Sequence, residues 1–538
     1  MRKLLPVLLV FALTAGLLAA CAKPAPSPTP TGAATPVTTP TATPKASPTP
    51  VSTPAVTPRE GGIFRLIEST DVRVFGYVPE IVGVAHGHAF PAMVSLLNAD
   101  KTGRLMPKLA TSWQTGADGK SFTLTLRKGV RFHDGTPLDA EVVKWNLELA
   151  KAARQTGLDK ITSIDVIDDY TVRLNLSQFT NDLTVALVRI SGIQMSRVAV
   201  EKNGKEWARF NPVGAGPFKF KGVQTGSYIE YERFDAYYEG KPYLDGVKFV
   251  IIVDRTTGSL AFQRGEADEI RPDIKEAVEL ESKGFKLIGP SYGSTDALVP
   301  DTANPDSIFR DKRVREAVEY AIDRQAITKS VGYGKWEALN QIAPSTYMGY
   351  NRDYKGRPYN PARAKELLTA AGYPNGFNTE IIFQNTRSDE AFVAVQQFLA
   401  EVGIKAKLTV VPSAKWTELT TKGWKNALFG NNYGGLDPNF ISVLVRQYAP
   451  ITETQRLFSM ERPAVLSKLL DDARAAQDYE TNNKLTQAAV KFMSEEAMFV
   501  PLWIDVSYAV QQPYVRDTGR YTLAGNTMWT PEKTWLSK

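Results

Sequence analysis

Cysteine and histidine are almost absent from this 538-residue chain, which contains one cysteine, Cys21, and three histidines, His86, His88 and His133. One cysteine cannot form a disulfide within the chain, and it excludes zinc or iron–sulfur sites built from several cysteines. Three histidines leave little material for a metal cluster or for several acid–base sites. The sequence therefore argues against many classes of enzyme, and we expect no cofactor and no resident metal.

A concentrated positive charge is also missing, although the net charge of the chain is +7. Arg2, Lys3, Lys23 and Lys45 lie in the first 58 residues, and the rest of the chain has 60 basic against 57 acidic side chains. No run of Lys and Arg is interleaved with aromatics, so the sequence does not predict nucleic-acid binding. The hydrophobic fraction of 43% is typical of a globular protein, and the length corresponds to about three compact units.

The longest apolar run stands at the N-terminus. Arg2 and Lys3 precede an almost entirely apolar stretch over residues 4–20, which is the pattern of a secretory signal peptide. An uncleaved membrane anchor is the alternative, but the run lies at the short limit for crossing a bilayer. The sequence LAAC over residues 18–21 resembles the lipobox of bacterial lipoproteins, whose cysteine is lipidated and becomes the mature first residue. We therefore predict a signal peptide over residues 1–20 and a lipidated Cys21 on the outer face of the cytoplasmic membrane.

A segment of biased composition follows Cys21. Of the 37 residues from 22 to 58, 24 are Pro, Thr or Ser. Such a segment has too little apolar surface to fold, and its prolines favour an extended chain. We expect residues 21–58 to be the lipidated cysteine and a linker that holds the folded body away from the bilayer.

The remaining sequence has the periodicities of a mixed α/β protein. SFTLTLR over residues 121–127 and TVRLNL over residues 171–176 alternate with period two and predict half-buried strands. Residues 140–153, after Asp139, and residues 311–327 have the apolar spacing of helices. The first half is rich in strands and the second alternates helix and strand. This contrast predicts two α/β lobes, the first with a mostly β subdomain.

Motifs of catalysis are not found. GAGPF over residues 214–218 leads into a strand rather than a helix, so it does not fit a dinucleotide-binding loop. His86 and His88 are the one conspicuous pair of possible ligands. On an extended chain both rings would point the same way, towards a metal or a carboxylate; two loop histidines near a surface are the alternative.

One block of sequence is distinctive. LMPKLATSW (105–113), followed by SFTLTLRKGVRFHDGTP (121–137) and DAEVV (139–143), closely resembles family 5 extracellular solute-binding proteins, the peptide- and nickel-type receptors of ABC importers. Further matches follow in the same order along the chain: NPVGAGPF (211–218), FRDKRVREA (309–317), AIDR (321–324), YNPARAKELL (359–368) and AGY (371–373).

The resemblance implies a two-lobed α/β fold of the periplasmic-binding-protein type (class II, cluster C) with an extra β-rich subdomain in lobe I. By analogy lobe I comprises residues 59–95, 211–292 and 498–538, the subdomain 96–210 and lobe II 293–497. The segments Gly289–Ala297 and Val500–Tyr508 would cross between the lobes as a hinge. The family also implies a monomer that delivers its solute to membrane permease subunits driven by cytoplasmic ATPases.

The solute is less clearly indicated. Peptide-binding members of the family often have a W-x-x-D-x-x-D-P pattern whose first Asp pairs with the amino group of the peptide, and here the run NNYGGLDP (431–438) stands at that place. Asp437 is retained, but Gly434 replaces the pairing Asp, so a buried ammonium would lack its partner. Asn431, Asn432 and Tyr433 suit a neutral polar ligand such as an oligosaccharide or a blocked peptide; a glycine-rich loop without ligand contact is the alternative.

Other candidate contacts are aromatic residues and the histidine pair. They are Phe75, Tyr77, His86 and His88 in the N-terminal part and Tyr292 beside the first crossing segment; burial in the core is the alternative for each. The sequence therefore leaves a peptide-like solute, a sugar and a metal chelate open. The alternative interpretations that do not involve transport are a secreted hydrolase and a surface adhesion or sensory protein.

Overall fold

The computed structural model describes residues 57–82, 85–434, 439–454, 456–523, 529 and 531–538. Its strands are β1 Ile63–Glu68, β2 Val94–Ser95, β3 Leu97–Ala99, β4 Leu105–Pro107, β5 Ala110–Thr115, β6 Ser121–Leu126, β7 Ile161–Asp168, β8 Thr171–Leu176, β9 Ile193–Gln194, β10 Phe218–Gln224, β11 Tyr228–Arg233, β12 Gly246–Ile251, β13 Glu269–Ile270, β14 Lys286–Pro300, β15 Glu337–Ala338, β16 Phe377–Gln384, β17 Ile404–Val411, β18 Leu428–Gly434, β19 Val500–Gln511, β20 Val515–Arg516 and β21 Trp535–Leu536.

Its α-helices are α1 His86–Ala89, α2 Ala140–Ala152, α3 Asn181–Val188, α4 Arg197–Asn203, α5 Lys205–Ala208, α6 Arg255–Gln263, α7 Ile274–Ser282, α8 Lys312–Ala321, α9 Arg324–Ser330, α10 Pro361–Ala370, α11 Asp389–Glu401, α12 Ser413–Lys422, α13 Phe440–Tyr448, α14 Ile451–Thr454, α15 Ala464–Ala475 and α16 Tyr479–Glu495. Single 3₁₀ turns lie at Val78–Glu80, Ile190–Gly192, Ile308–Arg310 and Pro531–Lys533. The mixture of strands and helices confirms the predicted α/β class.

One sheet runs through both lobes, in the strand order β10-β11-β12-β1-β13-β19-β14-β18-β16-β17. Its two longest strands, β14 and β19, are antiparallel partners in the middle. Strand β19 also pairs with β13 of lobe I, and β14 pairs with β18 of lobe II. The predicted crossing segments Gly289–Ala297 and Val500–Tyr508 lie within these two strands. The limits of the lobes stay predictions.

The lobe I half of this sheet is parallel at its centre. Strand β1 lies between β12 and β13 and runs parallel to both. Its side chains Phe64 and Leu66 are buried with Phe249 of β12 in an aromatic-rich core. Parallel strands place their carboxyl ends at one edge of a sheet, where ligands bind in many α/β proteins.

The β-rich subdomain has a separate sheet in the order β5-β6-β8-β7, with antiparallel pairing throughout. Strand β6 has the predicted alternation, since Phe122, Leu124 and Leu126 are buried on one face. Helix α2 starts where predicted because the Asp139 side chain accepts a hydrogen bond from the Val142 N–H, at 3.0 Å. These elements enclose their own hydrophobic core.

The helix predicted over residues 311–327 is two helices in the structure. Helix α8 ends at Ala321, and the Asp323 side chain accepts a hydrogen bond from the Ala326 N–H at 2.9 Å to begin α9. The aspartate favours a new N-terminus over continuation of the first helix, because its oxygen satisfies a backbone donor that a helix start leaves open.

The subdomain also contacts lobe II. The Asn181 amide at the start of α3 donates to the carbonyl oxygens of Arg474 and Ala476 at 3.0 and 2.8 Å, at the end of α15. Beside it, the Asp182 carboxylate binds the Arg474 guanidinium at 2.7 Å. Both charged side chains are mostly buried, so this ion pair joins the subdomain to lobe II.

Candidate functional site

A cavity of about 420 Å³ opens where the parallel strands of lobe I end. Glu68 is the last residue of β1, Ile252 follows β12 and Arg271 follows β13. On the opposite side the cavity reaches the crossing strands at Ser291 and Ser507, which face each other in the β14–β19 register. Its remaining wall residues are Ile67, Ser69, Thr70, Gly87, His88, Arg189, Phe249, Arg255, Gly258, Ile270, Pro272, Glu276, Arg520 and Tyr521.

Arginine is the most frequent charged residue in the wall of this arginine-lined cavity. The wall contains four guanidinium groups, those of Arg189, Arg255, Arg271 and Arg520, and two carboxylates, those of Glu68 and Glu276. A guanidinium presents several N–H donors in a planar fork, which matches the two oxygens of a carboxylate. The wall is therefore suited to an anionic group of a solute.

Arg271 and Arg520 are held by carboxylates of the protein. Arg271 forms an ion pair with Glu68, which holds the pKa of Arg271 above its ordinary value. Arg520 lies 2.7 Å from the Glu269 carboxylate and 4.2 Å above the Trp529 ring. Both members of that second pair are buried, and a buried ion pair fixes the direction of its side chains because either partner alone would be costly.

Arg255 stands apart from these pairs. It is the first residue of α6, directly after the capping residue Asp254, and its side chain is exposed. Within the part of the chain that the structure describes, Arg255 has no ion-pair partner. Its guanidinium is therefore available at the mouth of the cavity.

Among the predicted contacts whose side chains the structure describes, His88 is the one that lines the cavity. It is 3% exposed, its ring meets Phe249 edge-on at 5.2 Å, and burial lowers the pKa of the imidazole. The ring is therefore neutral near pH 7, and its Nδ1 has no hydrogen-bond partner among the described residues. A neutral imidazole with one open nitrogen can exchange a hydrogen bond with a polar solute.

The histidine pair does not have the predicted extended geometry. His86 and His88 lie in the helical turn α1, where positions two apart do not share a face. In the described part of the chain, no group of three or more His, Cys, Asp or Glu residues is arranged to hold a metal ion. The extended-chain chelate suggested by the sequence is therefore wrong.

Three other predicted contacts lie in the core. Phe75 is 0% exposed and packs against Phe210 and Phe220. Tyr433 is also fully buried and shares a hydrogen bond with the Tyr448 hydroxyl. Asn431 is 1% exposed, on the same face of β18 as Tyr433. The expectation that Phe75 and Tyr433 face the ligand is wrong in this structure, because close packing encloses both rings. The buried amide of Asn431 has no hydrogen-bond partner among the described residues, so its contact with a ligand stays a prediction.

The other four predicted contacts are not among the described wall residues of the cavity. Tyr77 is half-buried beneath the Lys205 ammonium, 5.6 Å from the ring centre. Asn432 lies opposite Asp296 in the β14–β18 register. Tyr292 belongs to β14 next to the cavity residue Ser291, and Asp437 lies outside the described residues.

A second charged cluster lies on the same two crossing strands, towards lobe II. Arg387 is 3.2 Å from the Asp505 carboxylate and 3.5 Å from the Asp296 carboxylate. Burial raises the pKa of Asp296 to about 8, with Arg387 opposing the shift and Asp505 adding to it. Partial burial also raises the pKa of Asp505, of whose side chain 39% is accessible.

Comparison with known proteins identifies the family. Residues 104–449 match the family model described as bacterial extracellular solute-binding proteins, family 5 Middle. The chain belongs to this family. The glutathione-binding protein GsiB of Shigella flexneri serotype 5b is 31% identical over 435 residues, which are 76% of this chain and 82% of that protein.

Two solved structures share the fold at similar identity. The ABC transporter-associated periplasmic binding protein DppA from Helicobacter pylori, in complex with the peptide STSA, is 25% identical with a TM-score of 0.70, covering 89% of this chain and 99% of that chain. AgaA from A. tumefaciens R10, in complex with agropinic acid, is 28% identical with a TM-score of 0.67 over 89% and 99% of the two chains.

These likenesses confirm the predicted two-lobed fold and the class of function. This family 5 protein is the solute-binding component of an ABC importer and not an enzyme. Among the described residues, no helix has both the length and the apolar character to cross a bilayer.

The Asp296 cluster leads to a prediction for the pH dependence of stability. A carboxyl group whose pKa is about 4 in the unfolded chain and about 8 in the folded protein binds its proton more tightly when folded. Its contribution is therefore fully present below pH 4, and it is lost as the pH rises from 4 to 8. Asp296→Asn removes the titrating group and with it this loss. We therefore expect the difference in melting temperature between variant and wild type to be about 2 °C more favourable to the variant at pH 9 than at pH 5.

Differential scanning calorimetry at the two pH values measures this gain. Asp159→Asn, which removes a carboxylate that is 61% exposed, serves as the control and should follow the wild-type pH dependence. If Asp296→Asn follows it too, Asp296 is not the group that titrates.

Proposed function

We propose that this family 5 receptor captures a small peptide-like solute bearing carboxylate groups, and that the solute binds in the arginine-lined cavity. The observation that carries the proposal is the exposed guanidinium of Arg255, which has no ion-pair partner among the described residues and lies in a wall that also contains Arg271 and Arg520. The cavity volume of about 420 Å³ lies in the range of sites for small molecules. An anionic group placed there would gain charge-assisted hydrogen bonds, which are stronger than those between neutral groups.

The relatives support an acidic solute. GsiB is named for glutathione, a tripeptide with two carboxylates, and AgaA was solved with agropinic acid. The sequence favoured a neutral ligand because Gly434 stands in place of a pairing Asp. The structure shifts that preference, since Asn431 and Tyr433 are buried and the arginines line the cavity.

Binding would close the lobes around the solute. The cavity has lobe I residues such as Arg271 on one side and the crossing strands, at Ser291 and Ser507, on the other. A solute that touches both sides stabilises the arrangement in which they are close, and the population shifts to it. The closed form would then deliver its solute to the permease subunits.

We expect glutathione and acidic tripeptides to bind to a protein of residues 57–538, and to bind at least about tenfold more weakly when their carboxylates are amidated, because hydrogen bonds between charged groups are lost. Arg255→Gln should weaken binding of the acidic forms by a similar factor. This position is chosen because its side chain is exposed, so that no buried carboxylate loses its partner.

Isothermal titration calorimetry measures these affinities. Arg264→Gln is the matched control, since it removes an exposed arginine just after the same helix, outside the cavity, and it should leave the affinity unchanged. Equal affinity for the acidic and amidated forms, or no binding of either, would contradict the proposal.

We further propose that lipidated Cys21 anchors the protein to the outer face of the membrane. Residues 1–56 lie outside the described part of the chain, so the support comes from the lipobox-like LAAC and the apolar run before it. The residues from 22 to 58 would then serve as an extended tether.

A cysteine-directed test follows because the chain has no second thiol. Cells fed an alkynyl fatty acid should label the wild-type protein, and Cys21→Ser should abolish the label. The linker variant Lys45→Gln should keep it. An unlabelled wild type, or a label that persists in Cys21→Ser, would show that the anchor is wrong.

A further inference from the structure

Most of the charges in the wall of the arginine-lined cavity are satisfied within the protein. Arg271 is paired with Glu68, Arg520 is paired with Glu269, and Arg189 also has an interaction partner. Among the described residues, two charged side chains of the wall remain without an ion-pair partner. One is a guanidinium and the other is a carboxylate, so the open charges of the cavity are of opposite sign.

The open carboxylate is that of Glu276, in the first turn of α7. The capping side chain of Asp273 accepts a hydrogen bond from the Glu276 N–H at 2.9 Å, which occupies the backbone of Glu276 but not its side chain. That side chain lines the cavity, and its Oε1 is buried without a hydrogen-bond partner among the described residues. A buried polar atom with its bond unmade is unusual in native proteins, and this oxygen points to a donor from outside the chain.

The open guanidinium is that of Arg255, at the start of α6. Helix α6 follows β12 and α7 follows β13, and β1 lies between these two strands. Neighbouring strands are about 4.8 Å apart, so the ends of β12 and β13 are separated by about 10 Å. Arg255 and Glu276 therefore line one cavity from two adjacent helix starts, and they form no ion pair with each other.

We infer that these two open charges bind an amino-acid head group, in which an α-ammonium and an α-carboxylate are attached to one carbon atom. Arg255 would receive the carboxylate and Glu276 the ammonium. Both contacts would be charge-assisted hydrogen bonds, which are stronger than those between neutral groups. This inference rests on the proposed function and makes it more specific, because it places one carboxylate of the solute beside a free amino group.

Such a head group distinguishes two kinds of peptide. In a peptide joined through α-carboxyl groups, the first residue has a free ammonium but no free α-carboxylate. Glutathione has both, because its first peptide bond is formed by the side-chain carboxyl group of glutamate. The sequence left a solute ammonium without a partner because Gly434 stands in place of the pairing Asp. Glu276 of lobe I would supply that partner from a different part of the fold.

Calorimetry with residues 57–538 tests the head group from the side of the solute. The probes are glutathione, N-acetylglutathione and the isomer whose first peptide bond is formed by the α-carboxyl group of glutamate. Wild type should bind N-acetylglutathione and the isomer at least about tenfold more weakly than glutathione, because each lacks one of the two charges of the head group.

The variant Glu276→Gln tests it from the side of the protein. It should weaken binding of glutathione about tenfold. It should change the affinity for N-acetylglutathione by less than about twofold, since that probe has no ammonium to lose. Glu279→Gln is the matched control, because it removes an exposed carboxylate of the same helix that is not in the cavity wall. This control should bind all three probes as wild type does.

The outcomes separate this inference from the proposed function. If glutathione binds and Arg255→Gln weakens it, but wild type binds N-acetylglutathione or the isomer equally well, the proposed function stands and the head group is wrong. The same holds if Glu276→Gln weakens glutathione and N-acetylglutathione by one factor, or changes neither. The comparison of probes on wild type decides the matter even if Glu276→Gln disturbs folding. If neither glutathione nor acidic tripeptides bind, the proposed function fails and this inference fails with it.

Discussion

The pairing of β14 with β19 is the interaction on which the rest of the molecule depends. These strands lie in the middle of one continuous sheet, and each continues the pairing into a different lobe. Their register shifts at three places, between Ile288 and Ser291, between Tyr292 and Thr295 and between Asp296 and Ala297. Such irregularities bend a strand and increase its twist. The lobes are thereby joined at a site of altered geometry, which is where the cavity and the Asp296–Asp505–Arg387 cluster lie.

The charges follow from this arrangement. Lobe I places arginines where its parallel strands end, and two of them, Arg271 and Arg520, are oriented by the carboxylates of Glu68 and Glu269. Towards lobe II, the crossing strands carry Asp296 and Asp505. There Arg387 pairs with both carboxyl groups, so this cluster balances its own charges. A solute with acidic groups therefore finds its complement in the arginines of lobe I.

The fold was largely predictable from the sequence because its signals are local. Alternation fixes β6, the Asp139 cap fixes the start of α2, and the family-like motifs place the crossing segments on β14 and β19. Apolar spacing predicts one long helix over residues 311–327, whereas the structure has two, because spacing alone does not reveal the capping side chain of Asp323.

The site was much less predictable. Glu68, Arg255, Arg271 and Arg520 are distant in sequence, and only the pairing of β1 with β12 and β13 brings the first three together. The sequence offers one signal for the cavity wall, which is a charged residue directly after a buried strand, as Arg271 is. The aromatic residues gave false predictions of ligand contact, because composition does not distinguish a buried ring such as Phe75 from a ring in a binding surface.

The measurement that tests the central claim most directly is a crystal structure of residues 57–538 with glutathione bound. The account predicts a carboxylate within hydrogen-bonding distance of Arg255 or Arg271, beside Ser291 and Ser507. Density for glutathione elsewhere, with no guanidinium of this cavity in contact, would contradict it.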